Sequence, residues 1–227
     1  MPWYAHRDGE LFAEDVRLAD IAERYGTPTF VYSAGAIREA YREFADACAG
    51  RRVTICYALK ANSNLAVIDL LAREGAGFDI VSLGELRRVL AIGGDPARVV
   101  FSGVGKSAHE MREALEADVG CFNVESQPEI ERLSAVATEL GRRAPVSLRV
   151  NPDVDAGTHP YISTGMRQNK FGIAHEHALE TYRLASRLPG IEVVGIDCHI
   201  GSQITEIAPF LAAADRVAAL VDDLRAA

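Results

Sequence analysis

The stretch VTICYALKANSN, residues 53 to 64, runs from strand-like Val53, Ile55, Cys56, Tyr57, Ala58 and Leu59 into a lone cation, Lys60. Two readings fit that lysine. Its stem can lie along apolar surface and carry the ammonium to water. Alternatively, partial desolvation and neighbouring charges lower its pKa and free the amine for a Schiff base with a carbonyl compound. Asp79, inside GFDIVS, is a carboxylate in an apolar strand, which is costly without a cationic or donor partner. A structural ion pair explains it as well as catalysis does. His199 is followed by Gly201 and Ser202 in DCHIGSQ. An imidazole at a strand end can stack on a planar ring, and a Gly-Ser turn offers backbone N–H groups and a hydroxyl to a phosphate. A satisfied buried histidine beside an ordinary turn is the competing reading.

These residues share one position in the pattern. Short apolar, β-branched runs recur at VTICYAL, GFDIV, RVVFS, GCFNV, VSLRV and VVGIDCHI, each followed by a helical pattern. Ser82 and Glu85, Ser107 and Glu110, and Ser126 and Glu129 each have capping-box spacing at a helix start. Strands alternating with helices, and apolar runs that are continuous, predict a parallel sheet covered by helices. A barrel and a doubly wound sheet both fit. Six βα units from residue 53 fall short of the eight in a complete barrel, which takes about 250 residues. In either architecture ligands gather at the carboxyl ends of the strands. There stand Lys60, Asp79 with Ser82, Ser102 with Gly103, Asn123 with Glu125, Arg149, and His199.

Ahead of the repeat, LADIAERYGTPTFVYS reads as a helix, a Gly-Thr-Pro turn and a short strand around Phe30 to Tyr32, and AIREAYREFADACA as an amphipathic helix. Residues 1–52 are therefore expected to pack on a barrel unit of residues 53–227. One connection breaks the rhythm: NPDVDAGTHPYISTGMRQNKFGIAHEH, with Tyr161, Ile162, Met166 and Phe171, is too long for an ordinary loop and too apolar for simple disorder.

Several function classes are excluded. The 227 residues carry 24 basic and 32 acidic side chains, a net charge of −8, which argues against a broad nucleic-acid or anionic-membrane surface. No stretch approaches the ~18 apolar residues of a membrane span, and the start lacks a signal-peptide pattern, so the sequence reads as cytoplasmic. Cys48, Cys56, Cys121 and Cys198 lie far apart and read as buried free thiols. GVGKSA imitates a phosphate loop but has Val100 where the first glycine belongs. His175 and His177 are two apart, which points them to different helix faces, so no metal site is expected.

Taken together, YALKANSN, GFDIVSLGEL, RVNPDVDAGTHPYISTGMRQNKFGI and CHIGSQI resemble the diaminopimelate decarboxylases, a branch of the pyridoxal-phosphate-dependent decarboxylases built on the alanine-racemase-type (β/α)8 TIM-type barrel. The likeness runs from RDGELFAEDV to the end of the chain. It implies that Lys60 holds pyridoxal 5'-phosphate as an internal aldimine, that His199 stacks on the cofactor ring, and that Ser202 lies near its phosphate. Asp79 and Arg149 match polar residues beside the lysine and cofactor. The reaction implied is loss of carbon dioxide from meso-2,6-diaminopimelate to give L-lysine, the last step of lysine biosynthesis, in a homodimer.

The sequence also departs from the family pattern. The glycine-rich phosphate loop after the seventh strand, the glutamate facing the pyridine nitrogen, the substrate-carboxylate arginines and the C-terminal β-domain have no counterpart here. The expected barrel is therefore incomplete, with about six βα units, and the chain is expected to be the amino-terminal part of the enzyme, inactive alone, with a complementary C-terminal chain as one way of completing it. A related decarboxylase of another basic amino acid or polyamine precursor, and a non-catalytic single-barrel carrier of the cofactor, are the competing readings.

Overall fold

The computed structural model describes residues 2–154 and 171–227. Residues 155–170 of the long connection, with Tyr161, Ile162 and Met166, lie outside the described residues. Among the described residues no helix is long and apolar enough to cross a membrane.

The chain opens with a small antiparallel sheet, β1 (Tyr4–Arg7), β2 (Glu10–Ala13) and β3 (Val16–Arg17). Asp8 and Gly9, with φ of 52° and 83°, form the two-residue turn between β1 and β2. An Asp-Gly pair favours that turn because both positions need positive φ. Helix α1 (Leu18–Tyr25) and helix α2 (Ala34–Ala47) follow. Ser33 caps α2, its hydroxyl accepting from the Ala36 N–H at 2.9 Å.

No strand forms around Phe30 to Tyr32, contrary to the expectation from sequence. The Tyr4 hydroxyl takes the place of a ladder there. It donates to the Val31 carbonyl at 2.9 Å and accepts from the Ser33 N–H at 3.0 Å, satisfying backbone groups that a neighbouring strand would otherwise serve.

The βα repeat then runs as read. It comprises β4 (Cys56–Ala58) and α3 (Leu65–Arg73), β5 (Gly77–Ile80) and α4 (Leu83–Ala91), β6 (Val99–Phe101) and α5 (Ala108–Glu116), and β7 (Cys121–Val124) and α6 (Gln127–Glu139). It continues with β8 (Ala144–Asn151), a two-residue strand β9 (Ile173–Ala174) and α7 (Ala178–Arg187), then β10 (Ile191–Asp197) and α8 (Ala208–Ala226). The six main strands pair in parallel in chain order, β4-β5-β6-β7-β8-β10, with β9 beside β8. A doubly wound sheet would reverse its order at a switch point. Unbroken sequential order is that of barrel staves, so the fold is part of a TIM-type barrel.

The strands differ in one respect from the continuous apolar runs expected. Phe78 and Ile80, Phe122 and Val124, and Val146 and Leu148 are buried in one core with helix residues such as Leu86, Met111, Ile130 and Leu133. Between them, Asp79, Asn123 and Arg149 face the opposite way and line a cavity. Side chains alternate across a strand, so a stave presents one apolar and one polar face.

The helix starts also differ. Ser107 and Glu110 form a full reciprocal capping box. Ser82 accepts from the Glu85 N–H at 3.3 Å, but the Glu85 carboxylate accepts from the Val81 N–H at 2.6 Å, one residue earlier than a box requires. Ser126 makes no cap bond; Glu129 instead takes the Glu125 N–H on one oxygen at 2.9 Å, the offset at which Glu85 takes the Val81 N–H, and a long-range partner on the other. The four cysteines are free and part-buried.

Candidate active site

The carboxyl ends of the staves surround a cavity of about 410 Å³. Four of the five residues picked from sequence line it: Lys60, Asp79, Arg149 and His199. Ser202 is not in its lining; it is exposed, three residues beyond His199. Gly201 between them has φ of 144°, a conformation that costs glycine least.

Lys60 sits in a single 3-10 turn, Leu59–Ala61, directly after β4. The fully buried Leu59 anchors that turn, and the lysine beside it is exposed, so the desolvation expected of it is not supplied by the described residues. Asp79 leaves the middle of β5 into the cavity. The Ser102 hydroxyl donates to its carboxylate at 2.5 Å, and the Asn123 amide donates to Ser102 at 3.2 Å. Burial pushes the Asp79 carboxyl above the usual carboxylate range, opposed first by the Ser102 bond and then by the charges of Lys60 and His199. The partner sought for Asp79 is thus a hydroxyl at contact distance, with cations further off.

Arg149, on β8, makes the strongest pair in the cavity wall: its Nη1 donates to Glu125 Oε1 at 3.0 Å, the two side chains being 12% and 2% exposed. Its guanidinium also lies over the Phe171 ring, 5.7 Å from the centroid. Gly172 makes that approach feasible, since a Cβ there would stand 2.9 Å from Asn151 Oδ1 and 3.0 Å from the Arg149 carbonyl. His199 follows β10 at the rim. Burial first, then the Arg149 and Lys60 charges, push its pKa down, with Asp79 and Glu125 opposing.

Two contributors escaped the sequence reading. Asp197, in the same strand and two residues before His199, also lines the cavity, and burial pushes its carboxyl up to about 6 against the pull of Arg149. The reasoning applied to Asp79, a carboxylate in an apolar run, would have found it. Lys106 stands behind the wall, fully buried. Its loop position gave no such signal.

The donor set suits a small polar ligand with a planar, carbonyl-bearing core. An amine and an imidazole meet at one rim, and Glu125 Oε2 and Arg149 Nε are buried at the wall without a partner among the described residues. Unpaired buried polar atoms are expensive unless something else satisfies them. The volume lies within the usual range for small-molecule sites, ~300–1,000 Å³.

Residues 34–227 match the family described as pyridoxal-dependent decarboxylase, pyridoxal binding domain. The chain belongs to that family. Among relatives of the pyridoxal-dependent decarboxylases, it is 63% identical over 224 residues to the diaminopimelate decarboxylase of Pseudomonas aeruginosa, covering 99% of this chain and 54% of the relative. Among solved structures, it resembles the diaminopimelate decarboxylase of Helicobacter pylori complexed with L-lysine, with a TM-score of 0.89 and 42% identity over 92% of this chain and 53% of that one. The diaminopimelate decarboxylase from m. jannaschi superposes with a TM-score of 0.91 at 37% identity, covering 98% of this chain and 53% of that one. The chain spans about half the length of the curated relatives it matches.

Proposed function

We propose that this chain is the cofactor-binding part of a decarboxylase that converts meso-2,6-diaminopimelate to L-lysine and carbon dioxide. The observation that carries the reading is the convergence of Lys60, Asp79, Arg149 and His199 on one cavity at the stave ends. The identity of the relatives supports the substrate.

In this reading Lys60, Asp79, Arg149 and His199 would hold pyridoxal phosphate, Lys60 through its amine and His199 through its ring, and Ser202, outside the cavity lining, would lie near its phosphate. When bound, it supplies the electron sink that makes loss of a carboxyl group feasible. The protein supplies the rest. The exposed Lys60 presents its amine at the cavity mouth, where the Asp79 carboxyl, its pKa raised, can hold or accept a proton. The Glu125 carboxylate fixes the Arg149 guanidinium through one oxygen, while Oε2 and Nε stay buried without a partner among the described residues. The lowered pKa of His199 favours the neutral ring, which stacks without adding a cation beside Lys60 and Arg149.

The test is the visible absorbance spectrum of the purified protein with added pyridoxal phosphate, beside Lys60→Ala. A band near that of a protein-linked pyridoxal, present in the wild type and absent in Lys60→Ala, is expected. Identical spectra for the two would overturn the assignment of Lys60.

A further inference from the structure

Lys106 is the most deeply buried cation of the described residues that bear on the cavity, and the sequence offered no role for it. Its side chain is 0% exposed and that of its partner Glu129 is 5% exposed. The ammonium has three N–H donors and three acceptors: the Gly103 carbonyl at 2.6 Å, the Asn123 carbonyl at 2.7 Å and Glu129 Oε1 at 2.7 Å. It also lies 5.6 Å from the centroid of the Phe101 ring. Those acceptors come from the loop after β6, from β7 itself and from the first turn of α6. The second oxygen of Glu129 accepts from the Glu125 N–H at 2.9 Å, and Glu125 in turn holds Arg149. Arg132 Nη1, also on α6, reaches the Lys106 carbonyl at 3.4 Å.

An ion pair this buried is a weak source of stability, because the desolvation of two charges offsets most of their attraction and apolar replacements of similar volume are often as stable. What it does supply is position. The loop after β6 and the end of β7 are pinned to one point, and Gly103 on that loop, Asn123 in β7 and Glu125 just after it all line the cavity, whereas Lys106 and Glu129 do not.

We propose that Lys106 and Glu129 are positioning residues that hold the Glu125–Arg149 pair in register for the ligand. This rests on the cofactor reading above and adds to it the residues that set the cavity wall. The ammonium fixes where the two loops end, Glu129 fixes the Glu125 backbone, and Glu125 then presents Arg149.

The decisive variant is the double substitution Lys106→Met with Glu129→Leu, which removes both charges together and keeps apolar volume. It is compared with the wild type by circular dichroism, melting temperature, affinity for pyridoxal phosphate, and the rate at which phenylglyoxal modifies Arg149 in the cofactor-free protein, read by peptide mapping. The expected result is a folded protein that melts below the wild type, since the Gly103 and Asn123 carbonyls and the Glu125 N–H lose their partners, with about tenfold weaker cofactor binding, the order by which supporting contacts tune metal sites, and Arg149 modified several-fold faster. Unchanged affinity and an unchanged Arg149 rate in the folded double variant would overturn the proposal. Should the double variant not fold, Glu129→Gln decides by the same two readouts: it keeps the shape and loses one acceptor, so a smaller shift in the same direction supports the proposal and no shift overturns it. If the wild type itself shows no Lys60-dependent band, the cofactor reading fails, and the Arg149 rate still decides this one.

Discussion

Lys60 and Lys106 follow staves that are two apart in the same sheet, and their surroundings differ in every respect. Lys60 follows β4, an outer strand of the described sheet, and is exposed. Lys106 follows β6, with paired strands on both sides and α6 across it, and all three of its donors are used inside the protein. Neighbouring acceptors, and not residue type, distinguish the two lysines. Around Lys106 two carbonyls and a carboxylate saturate the ammonium. Around Lys60 the described residues leave the side chain exposed. The cavity accordingly has a rim, Lys60 and His199, that can meet a ligand, and a wall, Glu125 and Arg149, whose polar groups are fixed in advance.

The largest effect separating the two regions is on stability. Lys106→Ala alone strands the Glu129 carboxylate in a dry site and leaves the Gly103 and Asn123 carbonyls without their donor, a loss of about 3–5 kcal/mol for a broken buried pair. Lys60→Ala removes an exposed side chain and changes stability by less than about 0.5 kcal/mol. Urea unfolding followed by circular dichroism checks both, and equal losses for the two variants would erase the distinction between rim and wall.

A second effect sharpens the comparison through pH. Asp197 faces the wall from β10 and, in the folded chain, keeps its proton up to about pH 6, against 3.8 for an ordinary aspartate. Between those values the folded state binds more protons than the unfolded one, so the stability owed to this group is full below about pH 4 and is lost as pH rises through about 6. Glu14 and Glu110, whose pKa values are lowered by backbone and serine hydrogen bonds, act in the opposite sense at lower pH, and they are common to wild type and variant. Asp197→Asn therefore gains on the wild type in melting temperature as pH climbs from about 4 to about 7. A gap that stays constant over that range would mean that Asp197 is not desolvated as the structure has it.

What the sequence made legible follows the same division. The six parallel staves could be read from their local apolar runs, Lys60 and His199 from the polar residue that follows such a run, and Asp79 and Arg149 from a charge set inside one. Lys106 could not be read in this way. It lies in a loop, in a stretch that suggested only a failed phosphate motif, and its three acceptors come from residues 103, 123 and 129, which only the packed fold brings together. Glu129 was read as half of a capping box, and that local role hid the long-range one. The Asp8-Gly9 hairpin was written in the sequence and passed over, because the polar residues around it concealed three short strands.

The smallest effect tests that competition between local and long-range roles. Ser107 and Ser126 have identical spacing to a glutamate three residues on, yet only Ser107 caps its helix, its hydroxyl accepting from the Glu110 N–H at 3.3 Å and donating to the Glu110 carboxylate at 2.8 Å. Ser107→Ala should lose about 1 kcal/mol, the usual contribution of an N-cap, whereas Ser126→Ala should stay within about 0.5 kcal/mol of the wild type. Thermal or urea melts of the two variants side by side measure the difference. A loss at Ser126 as large as that at Ser107 would mean that the Ser126 hydroxyl caps α6 in solution, and the difference between the two helix starts would vanish.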